Sequence, residues 1–124
     1  MIQPGTKMYV SDNSGAKIVE CIRVLGKSGR AIGQRGDLSV VSVKELRKKG
    51  KIKVKKKEVC LALILRVSKK NNRVDGRQVV FSRNTCMLLN RKSVPYGTRV
   101  FGPVLKEFRK QKKIKLLMVS SSHF

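Results

Sequence analysis

Short bursts of apolar residues, each about the length of a strand, recur along this chain with turn formers between them. Lys7–Val10 is the first burst. Ser11, Asp12, Asn13, Ser14 and Gly15 follow as a run of turn-forming residues. Residues 16–25 are rich in Val, Ile and Cys, interrupted by Lys17, Glu20 and Arg23, and predict a second strand. Residues 37–43 read DLSVVSV, with Leu38 and Val40 on one face and Val41 and Val43 on the other. That pattern fits a barrel wall or a strand buried on both sides. Residues 58–67, EVCLALILRV, carry the strongest strand pattern. Residues 66–82 predict a hairpin around Asp75-Gly76, because glycine accepts the positive φ of a tight turn. Thr85–Leu89 is another expected strand.

After the stretch GTRVFGPV at 97–104 the pattern changes. Pro103 suits the first turn of a helix, where its missing N–H costs nothing. Residues 104–113 predict a short helix with Val104, Leu105 and Phe108 as its apolar stripe. Lys106, Arg109, Lys110 and Lys113 point outward from it. A last short apolar element is expected at 116–119. Short strands with turns about every ten residues predict a mainly β domain, a small antiparallel barrel or sandwich. No internal repeat or linker interrupts it, so residues 1–124 read as one domain.

Composition adds a strong constraint. The chain has 124 residues, 40% of them hydrophobic, enough for a single core. Thirty Lys and Arg face seven Asp and Glu, a net charge of +23. Self-repulsion on that scale opposes compaction unless counter-charge arrives from outside, and a nucleic-acid backbone supplies it. A membrane surface fits less well: aromatics are 5% and Trp is absent, whereas an interfacial helix needs a broad apolar face. The longest apolar run, residues 59–65, is closed by Glu58 and Arg66 and is too short to span a bilayer. The start of the chain carries no secretory h-region.

Catalytic chemistry finds little material. Cys21, Cys60 and Cys86 are widely spaced, each in apolar surroundings, and read as small buried hydrophobes in a reducing compartment. His123 is the one histidine, so neither a zinc site nor a Cys-His or Ser-His pair is expected. The acids form no acid/base pattern. The glycine-rich stretch GKSGRAIGQRG at 26–36 lies between strands rather than before a helix, and reads as a flexible basic loop rather than a phosphate-cradling nucleotide site. No enzyme and no cofactor are expected.

The charge is concentrated. Residues 44–59, KELRKKGKIKVKKKEV, hold nine basic residues and two acidic ones. Within them Lys51, Ile52, Lys53, Val54 and Lys55 alternate with period two. This predicts a strand tethered to the barrel, its lysines in a row about 6.6 Å apart, close to the phosphate spacing of a nucleic-acid strand. Lysines guarding an edge strand against aggregation would also alternate, but the run extends well past what an edge requires. A nucleoid or chromatin-type DNA-binding barrel remains an alternative on composition alone.

Three stretches in order resemble one family. They are MIQPGT with V-x-DNSGA and CI-x-VLG near the start, and then Ala62-Leu63-Ile64-Leu65 with Asp75-Gly76, Phe81, Asn84 and Leu88. The third is GTRVFGPV before a basic segment. Together they resemble the bacterial-type ribosomal protein number fourteen of the large subunit, over essentially the whole chain. Met87 stands where that family usually has Val, residues 44–57 are more basic than usual, and the sequence past Lys115 matches poorly. The resemblance implies a closed five-stranded antiparallel barrel with a projecting hairpin and a short C-terminal helical region at about 104–119. It implies a structural role in the large subunit, binding of large-subunit rRNA, and bridges to small-subunit rRNA at the subunit interface. It also implies contacts with large-subunit proteins numbered three and nineteen, and docking of the ribosome silencing factor. No membrane partner is implied. On this reading Lys17, Arg23, Lys27, Arg30, Arg35, Lys51, Lys53, Lys55, Arg77 and Arg83 are expected on large-subunit rRNA. Gly97, Arg99, Phe101, Pro103, Lys106, Arg109, Lys110 and Lys113 are expected at the subunit interface or on proteins. The motifs fit a bacterium, a plastid or a mitochondrion. The chain begins at the family start, as a bacterial, organelle-encoded or processed chain would. The extra lysines favour a ribosome of the mitochondrial matrix over bacterial cytoplasm or plastid.

Overall fold

The period-two pattern becomes an inside and an outside once the strands pair. The computed structural model describes residues 2–26, 32–34, 36–72, 75–97, 99–104 and 120–123. Its strands are β1 Lys7–Val10, β2 Ala16–Val24, β3 Leu38–Leu46, β4 Val59–Arg66, β5 Asn71–Asn72, β6 Gln78–Val79, β7 Thr85–Leu89, β8 Val100–Val104 and β9 Ser120–His123. β1, β2, β3, β4 and β7 close into a five-stranded barrel in that order. Neighbours are antiparallel except at one seam: β1 and β7 run parallel, with Tyr9 opposite Thr85 and Val10 opposite Cys86. The barrel is therefore mixed rather than wholly antiparallel. A hairpin would reverse the chain between these strands, whereas here most of the domain separates them.

One set of alternate residues fills the barrel. Met8, Val10, Val19, Cys21, Val41, Val43, Cys60, Ala62, Ile64, Cys86 and Leu88 pack into a single buried cluster. The cysteines are thus small interior residues, all free. Burial pushes the Cys60 thiol up to about 11, with the charges of Glu58 and Asp12 adding to it. Burial likewise raises Cys86 well above its ordinary value. Cys21 is raised too, against a smaller opposing effect from the neighbouring Ser39 hydroxyl. All three stay protonated at neutral pH and are poor nucleophiles.

A second cluster covers the outside of the β4–β7 pair. Leu63, Leu65, Met87 and Leu89 point outward there and are buried beneath Val79, Phe81 and Val100. β4 is accordingly buried on both faces, which explains its unbroken apolar run. Each such fully buried side chain contributes roughly 1.5–3 kcal/mol. The β5–β6 hairpin turns at Asp75-Gly76, with Gly76 at φ 85°. Val79 and Phe81 anchor its base to this outer cluster.

Turns close the two ends of the barrel. At one, Ile2 is fully buried and pairs with Gly33: each backbone N–H donates to the other's carbonyl, at 3.1 and 2.6 Å. Gly33 packs so closely that an added Cβ would lie 2.8 Å from Ile64 Cδ1. The glycine-rich loop expected to be flexible is therefore pinned at Gly33, and at Gly36, whose N–H donates to Ile64 O at 2.7 Å. At the other end lies the Ser11–Gly15 turn. β8 does not lead into a helix at Val104 as the pattern suggested. Val104 closes a strand that pairs in parallel with β9, a Ser-rich segment with no apolar period to announce it. The rest of the expected helix and the apolar element at 116–119 lie outside the described residues.

Candidate nucleic-acid interface

Each described acid has a local task, and the seven acids of the chain are far too few to balance its thirty Lys and Arg. Asp12 is fully buried, and its carboxylate accepts hydrogen bonds from Ser14 N at 3.1 Å, Ser14 Oγ at 2.6 Å and Leu88 N at 3.0 Å. One side chain thereby shapes the DNSGA turn and ties it to β7. Asp37 accepts from Gln34 N at 2.7 Å, and Glu58 from Lys55 N at 2.8 Å. Glu45 lies 3.9 Å from Lys17 Nζ, Glu20 3.8 Å from Lys44 Nζ, and Asp75 3.5 Å from Arg77 Nε. These ion pairs are exposed and worth little individually.

Residues 47–58 cross from β3 to β4 as an irregular segment, not as the predicted strand. The reason is a single close approach. Gly15, at φ 101°, has no room for a side chain: an added Cβ would meet Ile52 Cα at 2.7 Å. The crossing therefore lies directly on the DNSGA turn, held by Lys53 N donating to Ser14 O and Arg47 N to Gly15 O, both at 2.8 Å. Val54 is 3% exposed and joins the barrel core, but Ile52 is 45% exposed. The two apolar residues therefore do not share a buried face. The tether was legible in the sequence and the strand was not. Lys51, Lys53 and Lys55 are all exposed, and Lys53 Nζ also donates to Tyr96 O at 3.0 Å.

This crossing creates two concavities that share Arg47. One, of about 440 Å³, is lined by Asn13, Gly15, Lys49, Gly50, Lys51 and Lys53 together with Arg47. The other, of about 540 Å³, brings Lys17, Lys44, Lys48 and Lys56 around Arg47 beside Glu45. Lys17, Lys51 and Lys53 are thus gathered by the fold around a residue that sequence reasoning did not single out. Arg47 Nη2 donates to Val10 O at 3.3 Å, and its guanidinium lies 5.7 Å from the centroid of the Phe101 ring.

The 97–104 stretch sits beside this. Gly97 packs on the turn so tightly that a Cβ would lie 2.5 Å from Asn13 Oδ1. That oxygen accepts from Arg99 N at 3.2 Å. Phe101 is 41% exposed between Arg99, 5.9 Å from its centroid, and Arg47. Phe101 N donates to Ser11 O at 2.6 Å. Pro103 lies in β8 opposite Ser122. Arg99 and Phe101 therefore adjoin the basic crossing.

Elsewhere the predicted residues separate. Arg23 is exposed near the far end of β2, about 20 Å along the strand from Lys17. Arg77 holds the hairpin turn, its N–H donating to Asp75 Oδ1 at 3.1 Å. Arg83 stacks over Tyr9, 4.8 Å from the ring centroid. Lys27, Arg30, Arg35, Lys106, Arg109, Lys110 and Lys113 lie outside the described residues. Sequence reasoning missed Arg66, half-buried at the end of β4, with Nε donating to Thr85 Oγ1 at 2.6 Å and Nη2 to Phe101 O at 3.2 Å. Burial lowers its pKa from the usual guanidinium value. Its only signal was a cation closing an apolar run.

Among the described residues no three His, Cys, Asp or Glu side chains gather to hold a metal ion, and no helix is long and apolar enough to cross a membrane. A family model described as ribosomal protein L14p/L23e matches residues 1–124.

Proposed function

The chain belongs to the ribosomal protein L14p/L23e family, and from that premise we propose that its basic crossing grips folded large-subunit rRNA through phosphates. As a family member it is a structural constituent of the large ribosomal subunit and serves translation. The observation that carries the RNA reading is the pair of lysine-lined concavities around Arg47, on a surface whose described acids are engaged locally. Lysines there neutralise phosphates and release counterions, while the barrel fixes where they stand. Folded RNA is met by shape and backbone more than by base edges. Lys17, Lys51, Lys53 and Lys55 act together in this reading. Arg23, Arg77 and Arg83, and Lys27, Arg30 and Arg35 of the glycine-rich loop, add contacts around the barrel.

The exposed Phe101 with its two guanidiniums supports a second contact, at the face toward the small subunit. Gly97, Arg99, Phe101 and Pro103 form it with Lys106, Arg109, Lys110 and Lys113, bridging to small-subunit rRNA. The large-subunit proteins numbered three and nineteen and the ribosome silencing factor are the protein partners that the resemblance brings with it. The surplus lysines of 44–57 suit a mitochondrial particle, where they would meet additional phosphates.

Titrating salt against affinity for large-subunit rRNA tests the reading. Log affinity should fall linearly with log salt, by roughly 0.7–0.9 per phosphate contact. A flat response would rule out a phosphate-held interface. Co-sedimentation with washed large subunits separates this reading from a DNA-coating protein, which would not co-migrate.

A further inference from the structure

On the β1–β7 seam lies a third cleft, which borders the crossing at Val10, whose carbonyl accepts from Arg47 Nη2. Its volume is about 410 Å³, within the range of small-ligand sites, about 300–1,000 Å³. It is lined by Tyr9, Arg66, Phe81, Ser82, Arg83 and Thr85. Two aromatic rings and two guanidiniums meet there among several hydroxyls, and no carboxylate lines the cleft. Tyr9 is 41% exposed although it sits in the barrel wall, because β1 alternates and Tyr9 faces outward opposite Thr85. Arg83 is also exposed, and its guanidinium carbon stands over the Tyr9 ring, 4.8 Å from the centroid. Arg66 is held in place by Thr85 Oγ1 and Phe101 O, so it forms a fixed cationic wall.

Both members of this ring–guanidinium pair are exposed to water. A third planar group can extend such a stack, and its attached phosphate would meet Arg66 and Arg83. We propose that this cleft receives one unpaired nucleobase of an RNA strand, stacked on the Tyr9–Arg83 pair with its phosphate against the two arginines. The proposal rests on the RNA-binding reading above and adds to it a contact that depends on a base being unpaired. An acidic peptide offers the carboxylate but not the plane, which is why the aromatic lining favours a nucleotide.

The test uses the full chain carrying Tyr96→Phe. Tyr9 and Tyr96 are the two tyrosines, so Tyr9 then reports alone, and no Trp obscures its emission. The probes are a short RNA duplex and the same duplex with one unpaired adenosine. The bulged RNA should bind roughly tenfold more tightly and quench Tyr9, as stacking worth about 1–3 kcal/mol per base requires. Tyr9→Leu and Arg83→Lys, added singly, should each erase the preference. Arg83→Lys keeps the charge, so its salt slope should stay unchanged and its unfolding midpoint should match the parent's. Equal affinity for both RNAs with a steep salt slope would overturn the stacked base and leave the phosphate-held interface standing. A flat salt slope with both RNAs would overturn both. Displacement of the bulged RNA from Tyr9 by an Asp/Glu-rich peptide at equal concentration would assign the cleft to protein and overturn the proposal.

Discussion

Two neighbouring segments turn the chain between strands, and they are satisfied in opposite ways. Residues 11–15 carry one acid, which is buried and accepts three hydrogen bonds from within the molecule. Residues 47–58 lie directly on them, and their lysines are exposed, with backbone N–H groups as the main anchors. The difference is one of self-sufficiency. A carboxylate ringed by donors is stable where it is. A row of cations held by its backbone is positioned, but its charge still needs a partner from outside.

The comparison breaks most severely at Asp12. Asp12→Ala leaves Leu88 N and the Ser14 groups without their acceptor, and stability should fall by about 3–5 kcal/mol in urea unfolding. A loss below about 1 kcal/mol would show that water replaces the carboxylate there. Gly97→Ala is next. The new methyl would press on Asn13 Oδ1, and a cost of about 1–3 kcal/mol is expected by the same measurement.

The crossing should respond the other way round. Lys51→Gln, Lys53→Gln and Lys55→Gln together should leave the unfolding midpoint nearly unchanged, within about 0.5 kcal/mol per site. The log–log salt slope for rRNA should drop by roughly 2–3. Loss of the fold instead would make the crossing structural and erase its contrast with the Asp12 turn.

The last effect is confined to high pH. Cys60 is raised to about 11 from 9.0, so the unfolded chain loses that proton first as pH rises. Stability gained from the neutral buried thiol is full below about 9 and declines toward 11. The wild-type stability curve should therefore fall more steeply over that window than that of Cys60→Ala. Parallel curves would mean that the thiol ionises without strain in the folded barrel.

Much of the architecture was legible because alternation reports which face a residue takes. The bounds of β1 and β7, the DNSGA turn and the Asp75-Gly76 hairpin all follow from local chemistry. Alternation does not report neighbours, so the parallel β1–β7 seam was invisible. It also misled at 51–55, where period two arose in a segment bent over Gly15 and not in a strand. The candidate site was legible as charge and illegible as geometry. Arg47 reaches Val10 and Phe101, Arg66 reaches Thr85, and Arg83 reaches Tyr9. Those pairs are distant in sequence, and no local pattern encodes them.

The parallel seam carries a consequence for the order of events as the chain is made. β1 emerges early, yet one of its edges is filled only by residues 85–89. Until then β1 through β4 can form only an open ribbon with a bare hydrogen-bonding edge. The lysine-rich bend lies inside that ribbon, so a nascent chain exposes its cations before its barrel is able to shut.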